Sequence, residues 1–164
     1  MVDDFEKEIN LPNFIPIFPL AGVVMFPDTY LPLNIFETRY LKMVDNAISN
    51  KNRLIGMIQP KNLNKSDEKS AFYRVGCAGK IIKFEETDDN RYLITLKGLS
   101  RFNLISEKTN EKDYKEANIS WENFSKDLNI NVKSSDFSTL KKTLKKYFKS
   151  KNIRANTDAI DTFN

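Results

Sequence analysis

The sequence predicts an α+β fold in which a curled, barrel-like β-sheet carries one early helix and is followed by a C-terminal helical segment. Three observations lead there. Apolar residues recur at helical spacing between Asn34 and Ile48. From Leu54 to Trp121 they instead form short runs or alternate, with Gly76, Gly79 and Gly98 among them. From Asp136 onward a helical stripe returns. Strands of unequal length with glycine bends favour a curled sheet over a flat one.

The elements follow in order. Met1–Asn10 reads as a polar tail (1–10). Leu11–Leu20 mixes apolar residues with Pro12, Pro16 and Pro19. Proline lacks a ladder donor, so this stretch is expected as an edge strand or an irregular extended segment, and Gly22–Leu33 continues in the same vein. Phe26-Pro27-Asp28-Thr29 has turn chemistry. Asn34 is placed to cap a helix, with Glu37 three residues on reaching back. Tyr40, Val44, Ala47 and Ile48 give that helix its apolar face, and it is expected to end near Ser49–Asn52. Leu54–Ile58 is a short strand stopped by Pro60, and Lys61–Ser70 a polar loop. Tyr73–Glu86 is a long strand whose glycines mark a bend or a close backbone approach. Asp88-Asp89-Asn90 turns the chain into Tyr92–Lys97, Gly98 kinks it before Leu99–Ser106, and Tyr114–Trp121 is a last strand.

The domain of strands is therefore assigned to 11–123, a linker to 124–135 and a helical segment to 136–164. In that segment Ser135 or Asp136 can cap. Phe137, Leu140, Leu144, Tyr147 and Phe148 form a stripe, and Lys141, Lys142, Lys145, Lys146, Lys149 and Lys151 fill the rest. The polar end, Asn156–Asn164, stops without a finishing element, as a truncated chain would.

Composition narrows the functions. The 164 residues are 40% hydrophobic and 12% aromatic, enough for one core and too apolar for a disordered chain. The net charge of +4 permits a nucleic-acid or acidic partner without requiring one. With no histidine, the commonest general acid–base group and the histidine-based triads are missing. One cysteine, Cys77, gives neither a disulfide nor a thiolate metal set, so no metal and no cofactor is expected, and a reducing, cytoplasmic setting fits. The N-terminus lacks the order of a signal peptide, and no apolar run approaches the ~20 residues a bilayer crossing needs. Among five glycines there is no Gly-x-x-x-x-Gly-Lys-Ser/Thr phosphate loop.

Three stretches in register carry a resemblance. They are Ile15-Pro16-Ile17-Phe18-Pro19-Leu20 with Val24-Met25-Phe26-Pro27 and Leu31-Pro32-Leu33; Ile35-Phe36-Glu37-Thr38-Arg39-Tyr40; and Arg91-Tyr92-Leu93 leading into Gly98-Leu99-Ser100-Arg101-Phe102. Together they resemble the Lon protease N-terminal (substrate-binding) domain family across roughly residues 11 to 123. The chain departs from the family's usual pattern at Asn34, where histidine is common, and at Asp89-Asn90, where an Asp-Gly turn is common. The resemblance implies a PUA-like β-barrel followed by helices. It also implies a role in holding unfolded or damaged polypeptides or in docking adaptors, with a Lon-type protease or other protein as possible partner. The chain looks like a stand-alone member without the ATPase and protease domains, and no serine sits in a context resembling the family's Ser–Lys segment. No catalytic residue is therefore assigned.

Within that frame, Met25, Phe26, Tyr30, Met57 and Ile58 are candidate polypeptide-binding residues. An exposed, adaptable apolar groove would suit unfolded clients, and the alternative is that they pack beneath the first helix. Glu37, Arg39 and Arg101 are read first as a structural ion pair, Glu37 with Arg101 or Arg39, tying the helix to the barrel; the alternative is a polar grip on a peptide. Cys77 is read as a buried core residue. The lysine-rich helix is read as a solvated face, with an RNA-binding, PUA-like protein as the second functional reading. Nucleic acid is disfavoured because the barrel lacks a basic–aromatic stripe, no membrane is expected, and the oligomeric state is left open.

Overall fold

A computed structural model describes residues 11–61, 71–128 and 138–152. The expected tail 1–10, nearly all of the Lys61–Ser70 loop, the second half of the linker, the caps Ser135 and Asp136 with Phe137, and the chain end lie outside these residues. The chain divides into two units, Met1–Asn129 and Ile130–Asn164.

The first unit holds six strands and a helix: β1 (Phe14–Pro19), β2 (Tyr30–Ile35), α1 (Thr38–Ser49), β3 (Leu54–Ile58), β4 (Val75–Glu86), β5 (Tyr92–Thr109) and β6 (Lys115–Ser120). The sheet runs β2-β5-β4-β3-β1-β6, and β6 pairs again with β5, so five strands close into a ring with β2 on its flank. This is the curled sheet the glycine-bent strands imply. All pairings are antiparallel except β1 with β3.

Three sequence expectations are corrected by the structure. Leu11–Leu20 does not form an edge: β1 lies between β3 and β6. Pro16 precedes the three residues paired to β3, and Pro19 is the last of the strand, so neither missing N–H interrupts that ladder. The proline-bearing edge is β2, which pairs with β5 and carries Pro32. Asn34 is not a helix cap, because the β2 ladder continues to Ile35 and holds Asn34 opposite Leu93. The helix starts after Glu37, which makes no side-chain cap bond. Residues 92–106, expected as two strands around a kink, lie in one 18-residue strand, Tyr92–Thr109, whose register with β4 shifts between Ala78 and Gly79, opposite Gly98.

The core has two buried clusters. In one, α1 lays Tyr40, Met43, Val44 and Ala47 against Phe18, Ile55 and Leu96, with the Phe18 and Tyr40 rings 4.4 Å apart. In the other, Phe102 is fully buried among Ile15, Ile17, Ala117 and Ile119. Each large aliphatic or phenylalanine side chain among them contributes about 1.5–3 kcal/mol of burial. Gly76 marks the close approach foreseen for β4: a Cβ there would lie 2.4 Å from the Phe102 ring and 2.7 Å from the Met57 carbonyl oxygen.

Phe124–Leu128, assigned to the linker on composition, are structured instead. Glu122–Leu128 makes two 3-10 turns broken at Phe124, and Asp127 binds β5. A capture by a residue distant in sequence leaves no local signature. In the second unit, α2 (Ser138–Ser150) exposes Leu140 and Tyr147 and keeps Leu144 and Phe148 half-buried. No helix of the described residues is long and apolar enough to cross a membrane.

Candidate functional site

The site begins with a loop that has no regular structure of its own, residues 20–29 between β1 and β2. Gln59, at the end of β3, fastens its first half. The Gln59 Nε2 donates to the Leu20 carbonyl oxygen at 2.9 Å and to the Val23 carbonyl oxygen, while the Gly22 N–H donates to Gln59 Oε1 at 3.2 Å. One carboxamide thus satisfies three backbone groups that no ladder serves. The second half closes as the predicted turn. Thr29 Oγ1 donates to the Phe26 carbonyl at 2.7 Å, and Asp28 takes a positive φ of 59°, which Asp tolerates. The Asp28 N–H donates to the Gly98 carbonyl at 2.9 Å, and the Gly98 N–H to the Thr29 carbonyl at 2.8 Å. Gly98 is required there, since a Cβ would lie 2.0 Å from the Phe26 carbonyl oxygen.

Held at both ends, the loop covers the outer face of β3 and β4 and leaves a cleft of about 150 Å³. Val24, Phe26 and Val75 stand around it, 65%, 59% and 46% exposed. Met25, Met57 and Cys77 lie below, all buried. Arg101 borders the cleft, but its guanidinium is engaged: Nε and Nη2 donate to the two oxygens of Asp127 at 2.8 and 2.7 Å, the Arg101 N–H adds a third bond, and the Phe124 ring lies 4.6 Å beneath. Hydrogen bonds from Arg101 hold the Asp127 carboxyl below the usual carboxylate range, outweighing its desolvation. Burial, reinforced by the Asp127 charge, pushes the Cys77 thiol up to about 12, so it stays protonated and unreactive at neutral pH.

Four of the five candidate residues, Met25, Phe26, Met57 and Ile58, therefore meet at one cleft, and Tyr30 does not. Burial separates the four. Phe26 faces solvent, whereas Met25, Met57 and Ile58 are buried, Met25 and Met57 in the cluster that packs against α1 and Ile58 in the one around Phe102, so these three do not make an exposed groove. Tyr30 lies exposed on β2 with the Lys97 ammonium 5.9 Å from its ring. Of the two pairings expected for Glu37, the one with Arg39 is formed and the one with Arg101 is not. Glu37 binds Arg39 two residues away at 2.7 Å, exposed and local to the start of α1, and Arg101 binds Asp127. Neither pair ties α1 to the barrel. Val24, Val75, Gln59 and Asp127 were not singled out from the sequence. Val75 reads as an ordinary strand residue, Val24 as part of an extended stretch and of the family resemblance, and a lone Gln before Pro60 signals nothing until the loop is seen to lie over it.

Comparison with known proteins adds a lineage to this geometry. A family model described as the ATP-dependent protease La (LON) substrate-binding domain matches residues 15–162. The chain is 27% identical over 146 residues to a Lon protease of Syntrophus aciditrophicus, covering 85% of this chain and 18% of that protein. It is 31% identical over 104 residues to a Lon protease of Dictyoglomus thermophilum, covering 61% and 13%. Of solved structures, it resembles a Lon N-terminal domain protein from Xanthomonas campestris (TM-score 0.54, 21% identity, 65% of this chain and 58% of that one). It also resembles the N-terminal domain of a Mycobacterium avium complex Lon protease (TM-score 0.58, 11% identity, 90% and 74%). These structural likenesses show the shared fold. The chain spans less than a fifth of the length of these Lon proteases. On the extent of the family match, the chain belongs to the Lon substrate-binding domain family.

Proposed function

We propose that this chain is a non-catalytic polypeptide-recognition module that takes up unfolded or damaged proteins, or an adaptor carrying them, for a Lon-type protease. The observation that supports it is the exposed apolar rim made by Val24 and Phe26, on a loop that Gln59 and Gly98 hold in place, with Val75 at the start of β4. Apolar side chains fixed in solvent offer contact area without demanding a particular partner sequence, which suits unfolded clients. Nothing at the cleft is poised for chemistry: Arg101 is neutralised by Asp127, and Cys77 is held as the thiol. Family membership points the same way. The RNA-binding reading has weaker support, in the exposed Lys142, Lys146 and Lys149 of α2.

Fluorescence anisotropy separates the two. A labelled, permanently unfolded polypeptide and a labelled single-stranded RNA are titrated at low and at moderate salt. Saturable polypeptide binding that survives the salt, with little for RNA, is the expected result. RNA binding alone, falling steeply as salt rises, would replace this reading.

A further inference from the structure

A second, larger cavity adjoins the cleft. A groove of about 790 Å³ is lined by Arg74, Asn103–Glu107, Ser120, Glu122 and Asn123. The strand register places the two on one surface. Cys77 pairs with Arg101 and Val75 with Asn103, so all four side chains share a face of the β4–β5 pair, opposite the buried Phe102. Cys77, Arg101 and Val75 line the cleft, and Asn103 lines the groove. The 3-10 turns wall both: Asp127 and Phe124 hold Arg101 at the cleft, while Glu122 and Asn123 line the groove. The chemistry changes along the surface. The cleft is largely apolar, whereas the groove adds to Leu104 and Ile105 two carboxamides and the hydroxyls of Ser106 and Ser120, groups that match a peptide main chain as donor and acceptor, with Arg74, Glu107 and Glu122 also in its lining. Asn103 is half-buried, and its carboxamide makes no bond among the described residues.

We propose that cleft and groove are one trough that takes a single extended polypeptide strand, with one apolar side chain anchored in the cleft and the adjoining main chain laid along Asn103 and Asn123. The inference rests on the polypeptide-recognition reading and specifies its ligand: unfolded chain with a medium-sized apolar residue, rather than an apolar surface of a folded protein. From Arg101 to Ser106 the strand runs roughly 17 Å at about 3.3 Å per residue, so the occupant spans about five to six residues.

The test uses the full chain and four labelled peptides of glycine, serine and glutamine, eight or three residues long, with or without one terminal leucine. Binding is followed by anisotropy, and the side-chain amide signals of Asn103 and Asn123 are followed by NMR. The leucine octamer is expected to bind about tenfold tighter than either the leucine-free octamer or the leucine tripeptide. It alone is expected to shift both asparagine signals. Val75→Asp is expected to remove the leucine preference and Asn103→Ala the length preference. The NMR readout on the unaltered protein stands even if a variant folds poorly. If an unfolded protein binds but neither leucine nor length matters and the asparagine signals stay still, the trough is wrong and the recognition reading survives. If no polypeptide of any kind binds, both fall.

Discussion

Gln59 is the residue on which the loop geometry depends most, and Gln59→Ala is the sharpest structural perturbation. The substitution removes three hydrogen bonds, from Gln59 to Leu20 and Val23 and from Gly22 to Gln59. Leu20 and Val23 are half-buried, so their carbonyls regain water poorly; Gly22 is exposed and regains it easily. Taking about 1 kcal/mol for each half-buried bond and about 0.5 kcal/mol for the exposed one gives a loss of about 2–3 kcal/mol. The single tryptophan, Trp121, is half-buried and donates its indole N–H to the Pro12 carbonyl, so its fluorescence reports unfolding in urea. For a domain of this size the midpoint falls by about 1–2 M. The Gly22 amide, protected by Gln59 alone among the described residues, is expected to exchange with solvent faster once that bond is gone. Gln59→Glu separates geometry from size, because a carboxylate accepts from Gly22 but cannot donate to two carbonyls; it is expected to be at least as unstable as the alanine variant. A midpoint within about 0.3 M of the parent, with unchanged Gly22 exchange, would refute the latch.

Three further predictions follow from the same region. Gly98→Val drives a side chain into the Phe26 carbonyl, displacing the 20–29 loop at a cost of about 2 kcal/mol or more, read as a lowered urea midpoint with amide shifts centred on Phe26 to Thr29. Iodoacetamide at pH 8 is expected to leave Cys77 unmodified in the folded protein and to label it in urea. Because its folded pKa is raised, the stability it contributes is present below the ordinary thiol range and is lost as pH climbs from about 8.5 toward 12; a Cys77→Ala variant that shows the parent's alkaline unfolding curve would contradict this. Asp127 behaves in the opposite sense. Its folded pKa is depressed, so its contribution is complete above the ordinary carboxylate range, about 4, and is lost as pH falls through the lowered value. The gap in urea midpoint between the parent and Asp127→Asn is expected to be constant near neutral pH and to close in acid, and a pH-independent gap would remove the ion pair from the argument.

Much of the fold was legible because periodicity is a local signal. The apolar spacing from Tyr40 to Ile48 and the alternation from Tyr92 to Leu96 each report one face of one element, and those elements are present. What failed was what neighbours decide. Pro16 and Pro19 read as edge markers, yet β1 is an inner strand because the prolines fall outside or at the end of its paired stretch with β3. Asn34 has good cap chemistry, but the β2 ladder claimed its backbone first. The site shows the same division. Phe26 was found because a large apolar residue beside a Pro-Asp turn invites notice, whereas Val75 becomes a rim residue only when paired with Asn103 across the sheet. Arg101 drew attention, but its partner, Asp127, lies 26 residues on in a stretch of no apolar pattern.

The most direct measurement is a titration of a labelled unfolded polypeptide into the parent chain and into a variant with Val24, Phe26 and Val75 all changed to serine, at moderate salt. These side chains are exposed, so the variant is expected to unfold in urea close to the parent while its affinity for the polypeptide falls at least tenfold. A variant that is equally stable and binds as tightly as the parent would show that the apolar rim is not where polypeptides are held.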